Sequence, residues 1–189
     1  YNPWEKAVIR ASAGRGKRLA NIFAENQYLF ASSRTFNILG NDGKAYNMDP
    51  EIAWNYGVSF SQSFNLFGRN AEVAFDIYRT DFQNQIVVDL DQSARTVNYY
   101  NLEGDSYATS FQLDFTYNLF KHFNIRTAYK YYDIKTKYDK GNLERPLQAK
   151  HRFFTNLEYQ THESDSGGSW KFDATWNWLG KQRLPYTGD

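Results

Sequence analysis

The amino-acid sequence predicts an all-β fold: an antiparallel, up-and-down sheet forming a segment of a transmembrane β-barrel. Three features lead there. Stretches of apolar/polar alternation recur along the chain, their apolar faces end in aromatic residues, and the links between them alternate between short and long. Side chains in a strand point to opposite faces in turn, so a period of two marks a sheet with one greasy and one polar side.

Taken in order, a weak first strand near 5–12 sets Ile9 and Ala11 against Arg10 and Ser12. At 52–64, Trp54, Tyr56, Val58, Phe60 and Phe64 oppose Asn55, Gly57, Ser59, Ser61 and Ser63. At 71–78, Val73, Phe75 and Ile77 oppose Glu72, Ala74 and Asp76. The clearest case is SYATSFQLDFTYN at 106–118, where Tyr107, Thr109, Phe111, Leu113, Phe115 and Tyr117 share one face. At 123–132, Phe123, Ile125, Tyr129 and Tyr131 oppose Asn124, Arg126 and Lys130. Phe153, Leu157 and Tyr159 oppose Arg152, Asn156 and Glu158 within 149–159, and Trp170, Phe172, Trp176 and Trp178 oppose Lys171, Asp173, Thr175 and Asn177 within 170–178. These make seven strands, and no convincing amphipathic helix accompanies them.

The short links carry turn chemistry: LFGRN at 66–70, LFKHF at 119–123 and HESDSGGS at 162–169. The long ones span 13–51 and 135–147, and a further loop at 88–96 is the tip of a tall hairpin made by 71–90 and 95–117. Bacterial barrels sort their connections in this way, with short periplasmic turns and longer extracellular loops.

Tyr107 and Tyr117 stand ten residues apart on the apolar face, which is roughly 33 Å along a strand. Tilted by ~40°, that covers about 25 Å of membrane normal, the height of a barrel's apolar band. Lipid is therefore the expected neighbour of Trp54, Phe60, Phe75, Phe111, Leu113, Phe115, Phe153 and Trp176. Asp76, Asp114, Arg126, Arg152, Glu158 and Asp173 fall on the other face, toward a polar lumen, because unpaired charge is costly in a dry core. A soluble β-sandwich recognition module, with the aromatic face as its core, is the competing reading, and a passive porin or adhesin barrel is another. Six such strands joined by sorted links favour the membrane.

Composition agrees. The chain has 189 residues, a net charge of +1 and 19% aromatic residues, yet its mean hydropathy is −0.73. Near-neutral charge gives no reason to expect nucleic acid. The absence of Cys excludes disulfides and thiolate metal sites and fits a Gram-negative cell envelope. No apolar run approaches the ~18 residues of a transmembrane helix. The first residue, Tyr1, opens mid-pattern, so the chain reads as a piece of something longer.

Five segments, in order, resemble TonB-dependent outer-membrane transporters. RASAGRGKRLAN (10–21) resembles the family's strand and apical turn, and NMDPEIAWNYGVSF (47–60) its Asn-x-x-Pro-Glu segment. AFDIYRTDFQNQIV (74–87), NYYNLEGDSYATSFQLDFTY (98–117) and RPLQAKHRFFTNLEY (145–159) resemble its following strands. Tyr-Arg-Thr-Asp-Phe with Asp-Leu-Asp is most similar to transporters of the Bacteroidota. The resemblance implies about seven strands, roughly the thirteenth to the nineteenth, of a 22-stranded barrel with an internal plug. The domain expected over 1–189 is thus a partial barrel, its plug and its first and last strands lying elsewhere. Ser110 and Gln112 depart from the family's usual Gly and inward Glu.

The implied function is active import of a scarce, bulky ligand: a siderophore, haem, cobalamin or other metal complex, or a glycan. The implied location is the cell outer membrane, without enzymatic activity or cofactor. The implied partners are membrane lipid and lipopolysaccharide, the rest of the barrel and its plug, and the TonB system of the inner membrane, with a surface lipoprotein as a further candidate.

Individual motifs add little chemistry. GRGK at 14–17 lacks the Gly and the Ser or Thr of a phosphate loop, since Ala11 and Arg18 occupy those places. It reads either as a surface loop or, with Arg15, Lys17 and Arg18, as a basic rim for anionic ligands. His122, His151 and His162 are too scattered for a metal site. DLDQS at 89–93, with Asp81, reads as a calcium tip or an ordinary polar turn. The ligand-contacting residues expected at the outer mouth are Arg15, Arg18, Tyr28, Tyr46, Tyr99 and Tyr138.

Overall fold

The alternating stretches all form strands. The computed structural model describes residues 1–189 apart from 20, 41, 44, 103–105, 139, 140, 165, 166, 187 and 189, and apart from the side chains at 137, 138 and 141–143. In chain order the elements are β1 (Ala7–Arg18), a single helical turn α1 (Ile22–Glu25), a 3₁₀ turn (Gln27–Ala31), β2 (Thr35–Leu39), β3 (Glu51–Leu66), β4 (Arg69–Gln83), β5 (Ile86–Asp89) and β6 (Thr96–Asn101). They continue with β7 (Ser106–Phe120), β8 (Phe123–Tyr138), β9 (Gly141–Glu144), β10 (His151–Gln160) and β11 (Lys171–Leu179). The large sheet runs β1-β3-β4-β7-β8-β10-β11, with β9 paired to β8. Its seven principal strands are sequence neighbours and antiparallel, the up-and-down order the alternation predicted.

Register aligns the faces across the whole sheet. One row reads Ile9, Phe60, Phe75, Leu113, Tyr129, Phe153 and Trp178, each opposite the next. The row behind it reads Arg10, Ser59, Asp76, Gln112, Lys130, Arg152 and Leu179. Directly opposed residues share a face, so Trp54, Phe60, Phe75, Phe111, Leu113, Phe115, Phe153 and Trp176 all stand on one side. Asp76, Asp114, Arg126, Arg152, Glu158 and Asp173 stand on the other. The β3–β4 turn explains part of this precision. Phe67 and Gly68 take φ of 51° and 77°, the two positive angles of a type I′ hairpin that fixes register.

Among the described residues, no second sheet covers the apolar face. Ile77 is 46% exposed, Leu113 41% and Trp176 58%. A sandwich would bury these residues, so the competing soluble architecture is not the one adopted.

The long links gather at the other end of the strands from the short turns. There β2, β6 and β5 form a separate three-stranded sheet, whose buried core is Ile22, Leu29, Met48, Leu90, Val97 and Tyr99. Two expectations need correction here. The stretch GRGKR is not a loop: β1 continues through Arg18, pairing Gly14 with Asn55 and Gly16 with Ala53. An exposed edge strand tolerates glycine and charge, which is why its polarity read as a loop. The tall hairpin is not continuous either, since β4 ends at Gln83 and Asn84 turns with φ 53°. The Asn101 amide holds that turn, donating to the carbonyls of Asn84 and Asp49 at 2.9 Å each. The helical turn of α1 is too short to be an amphipathic helix. Asn21 caps it, its side-chain oxygen accepting from the Ala24 N–H at 3.4 Å, an ordinary N-cap.

Candidate functional site

Between the polar face of the large sheet and the loop layer lies a cavity of about 680 Å³. Ligand pockets commonly fall between about 300 and 1,000 Å³. The sheet contributes Arg18, Glu51, Phe82, Tyr132, Ile134 and Arg152, all on the face opposite the aromatic row. The loop layer contributes Tyr28, Val88, Leu90, Arg145 and Leu147 among others.

The charges in this chamber are unevenly matched. Arg18 is shared by two carboxylates, Nη1 lying 3.1 Å from Glu25 and Nη2 lying 3.2 Å from Glu51. Glu51 is itself buried and also accepts from the Ile86 N–H at 3.3 Å. Arg152 is held differently. Its guanidinium lies 5.3 Å from the centre of the Tyr132 ring, and Lys130 approaches the same ring at 5.0 Å. Lys130 and Arg152 are direct cross-strand neighbours, an arrangement that like charges disfavour. The Nε of Arg152 is buried with no acceptor. Nearby, Lys150 bonds Glu144 at 2.5 Å, and that carboxylate holds the Lys150 ammonium above its usual pKa.

The six expected ligand contacts separate. Arg18 and Tyr28 line the chamber. Tyr46 borders the loop core instead, its ring 5.5 Å from Phe23. Arg15 is on the apolar-face side of β1, 6.0 Å from the Trp54 ring, so the continuous basic rim of Arg15, Lys17 and Arg18 is split by strand parity. Tyr99 is a correction: it is 0% exposed in the core of the loop layer. Burial and the Tyr28 phenol push its pKa up, and its hydroxyl has no partner. The side chain of Tyr138 lies outside the described residues.

Tyr132, Phe82 and Arg145 were missed as site residues. Tyr132 and Phe82 carry a readable signal, because each is an aromatic ring on the polar face of its strand.

The calcium reading does not hold among these side chains. Asp91 is gripped by Arg183, Asp89 accepts from the Tyr100 hydroxyl at 2.9 Å, and Asp81 belongs to a separate group with Arg79 and Tyr56. His122 and His162, which looked scattered in sequence, sit together with ring centroids 4.2 Å apart. Two ligands fall short of the three or four that zinc takes, and no group of three His, Cys, Asp or Glu gathers among the described residues.

No curated protein and no solved structure matches the chain. The family model of the TonB dependent receptor-like β-barrel matches residues 1–189, and the chain belongs to that family.

Proposed function

We propose that residues 1–189 form wall and outer mouth of an outer-membrane importer energised through TonB, carrying a scarce, bulky ligand through the barrel. The observation that carries this reading is the large sheet itself. Its aromatic face is uncovered, its opposite face is charged, and a chamber opens on the charged side beneath the loops. Lipid is the solvent that suits an aromatic, uncovered face, and water or ligand suits the other. In lipid an open sheet edge is not tolerated, so β1 and β11 join further strands of the same barrel. A plug within that barrel couples it to TonB. Membrane lipid and lipopolysaccharide contact the aromatic face, and a surface lipoprotein is a further partner at the loops. The Bacteroidota are the source that the sequence wording supports.

The test compares deletion of this protein with deletion of TonB in the producing cell, by mass spectrometry of solutes depleted from the medium. The expected result is a set of solutes whose depletion is lost in both strains, with the protein fractionating in the outer membrane. Fractionation with soluble proteins sinks the membrane reading. Uptake that persists without TonB points to a passive barrel instead.

A further inference from the structure

We infer that the chamber under the loop layer selects organic anions, with Arg152 and Arg145 receiving an oxyanion such as a carboxylate and the apolar lining receiving its hydrocarbon body. This rests on reading the chamber as the ligand site of the importer.

The argument begins with charge balance. Among the described residues the chamber is lined by Arg18, Arg145 and Arg152 and by two carboxylates, Glu25 and Glu51. Both carboxylates lie within 3.2 Å of Arg18. Arg145 and Arg152 have no carboxylate of their own there. Lys130 adds a third cation beside Arg152, across the Tyr132 ring.

The second observation is independent of that tally. The Arg152 Nε–H is buried and has no hydrogen-bond acceptor among the described residues. A buried charged donor without a protein acceptor is costly, so an oxyanion drawn to this guanidinium offsets a cost that a fully satisfied one does not carry. A guanidinium presents its N–H groups as a planar fork, which matches the two oxygens of a carboxylate. The Tyr132 ring centre lies 5.3 Å from the guanidinium carbon, a cation–π contact that helps to hold the fork in place.

The third observation concerns the remainder of the wall. Phe82, Val88, Leu90, Ile134, Pro146 and Leu147 contribute apolar patches to the lining of the same chamber. A small, fully hydrated anion gains nothing from such a lining. An anion attached to a ring or chain places its apolar part there and its charge at Arg152.

The test uses the complete protein purified in detergent, with 2-naphthoate as probe and uncharged 2-naphthamide as its control, in titration calorimetry. Naphthoate should bind at least about tenfold more tightly than naphthamide, the ratio expected of one charge-assisted hydrogen-bonded contact. Arg152→Gln should abolish that preference while leaving naphthamide affinity unchanged. Arg152→Lys should keep part of it, and Arg126→Gln, lower on the same face, should keep all of it; retention in these two also shows that the variants fold. Equal affinities, absence of binding by either probe, or a preference indifferent to Arg152→Gln overturns the inference. Loss of TonB-dependent uptake with the naphthoate preference intact sinks the transport reading alone. TonB-dependent uptake of an uncharged solute without the preference sinks the anion reading alone.

Discussion

Arg183 grips Asp91 through two parallel bonds, Nη1 to Oδ1 and Nη2 to Oδ2, each 2.7 Å long. The two residues are 92 positions apart, and the pair ties the segment after β11 to the loop between β5 and β6. Neighbouring bonds complete the clamp. Arg183 Nε donates to the Glu144 carbonyl at 2.7 Å, and the Leu147 N–H donates to the Arg183 carbonyl at 2.8 Å. On the other side the Tyr186 N–H donates to Asp91 at 3.1 Å, while Arg34 reaches the Tyr186 carbonyl at 3.1 Å. The segment after β11 is thereby joined to three loop segments, which contribute Tyr28, Leu90 and Leu147 to the chamber.

Arg183→Gln should loosen this roof without disturbing the wall. The pair is partly shielded, so its loss should cost about 2 kcal/mol of local stability, between the exposed and buried limits. Hydrogen exchange should accelerate at the Leu147 and Tyr186 amides and stay slow at 111–117 in β7. Arg183→Lys keeps the charge but not the fork and should fall between. Unchanged exchange at Leu147 in Arg183→Gln would show that the roof is held by something else.

The two faces of β7 make opposite predictions. Phe111 lies opposite Ile77 and Tyr131 in the apolar rows. Phe111→Arg should destabilise the barrel in lipid by about 2–4 kcal/mol if the residue is near the midplane. Asp114 faces the other way and accepts from Arg126 at 3.0 Å. That ion pair is largely solvated on its Arg side, and Asp114→Leu should cost under about 1 kcal/mol. Urea unfolding of the folded protein from lipid vesicles measures both. Tolerance of Phe111→Arg together with damage from Asp114→Leu would reverse the face assignment.

The alternation made the wall legible residue by residue, because parity propagates through a register that shifts only near a strand end, at Asn118/Phe120. Phe111 and Asp114 needed only counting. The roof was not legible, for reasons that are equally physical. Asn84 breaks β4 from β5 through a single left-handed residue, which no periodicity reveals. Tyr99 looks like any loop tyrosine until the parallel pairing of β2 with β6 places it inside a core. Arg183 and Asp91 are chemically suited to pair, but the chain between them supplies many equivalent charges. Of the chamber's lining, Arg18 and Tyr28 belong to the long loop region that the sequence marks out. Tyr132 announced itself only as a ring on the wrong face.

Gly57 supplies a sharper test of the wall's packing. A Cβ there would lie 2.4 Å from the Ile77 carbonyl oxygen and 2.4 Å from the Tyr78 ring. Tyr78 is its cross-strand partner and lays its ring over the glycine, the hydroxyl meeting Ser59 at 3.0 Å. Gly57→Ala should destabilise by about 1–3 kcal/mol through overpacking. Tyr78→Ala in the same molecule should recover part of that loss, because the ring is one of the two obstacles. A double-mutant cycle on urea midpoints reads the coupling, and additive losses would mean that the ring moves aside freely.

The last prediction concerns pH at the short-turn end. His122 sits in the β7–β8 turn at φ 64°, and its Nε2 is buried without a partner. Burial, the His162 ring and the Lys121 ammonium together hold its pKa below the ordinary imidazole value, which is about 6.5. Between the depressed value and 6.5 the unfolded turn binds more protons than the folded one, so stability must fall as pH is lowered through that window. Above 6.5 the contribution is fully present. The Gln160 N–H donates to the His122 carbonyl at 2.9 Å, which makes its exchange rate a local reporter. Its protection should decline on acidification below about 6.5, and His122→Gln should flatten that decline. His162→Gln should weaken it, since one opposing group is removed while Lys121 and burial remain. A profile that His122→Gln leaves unaltered would assign the acid sensitivity to carboxylates elsewhere in the wall.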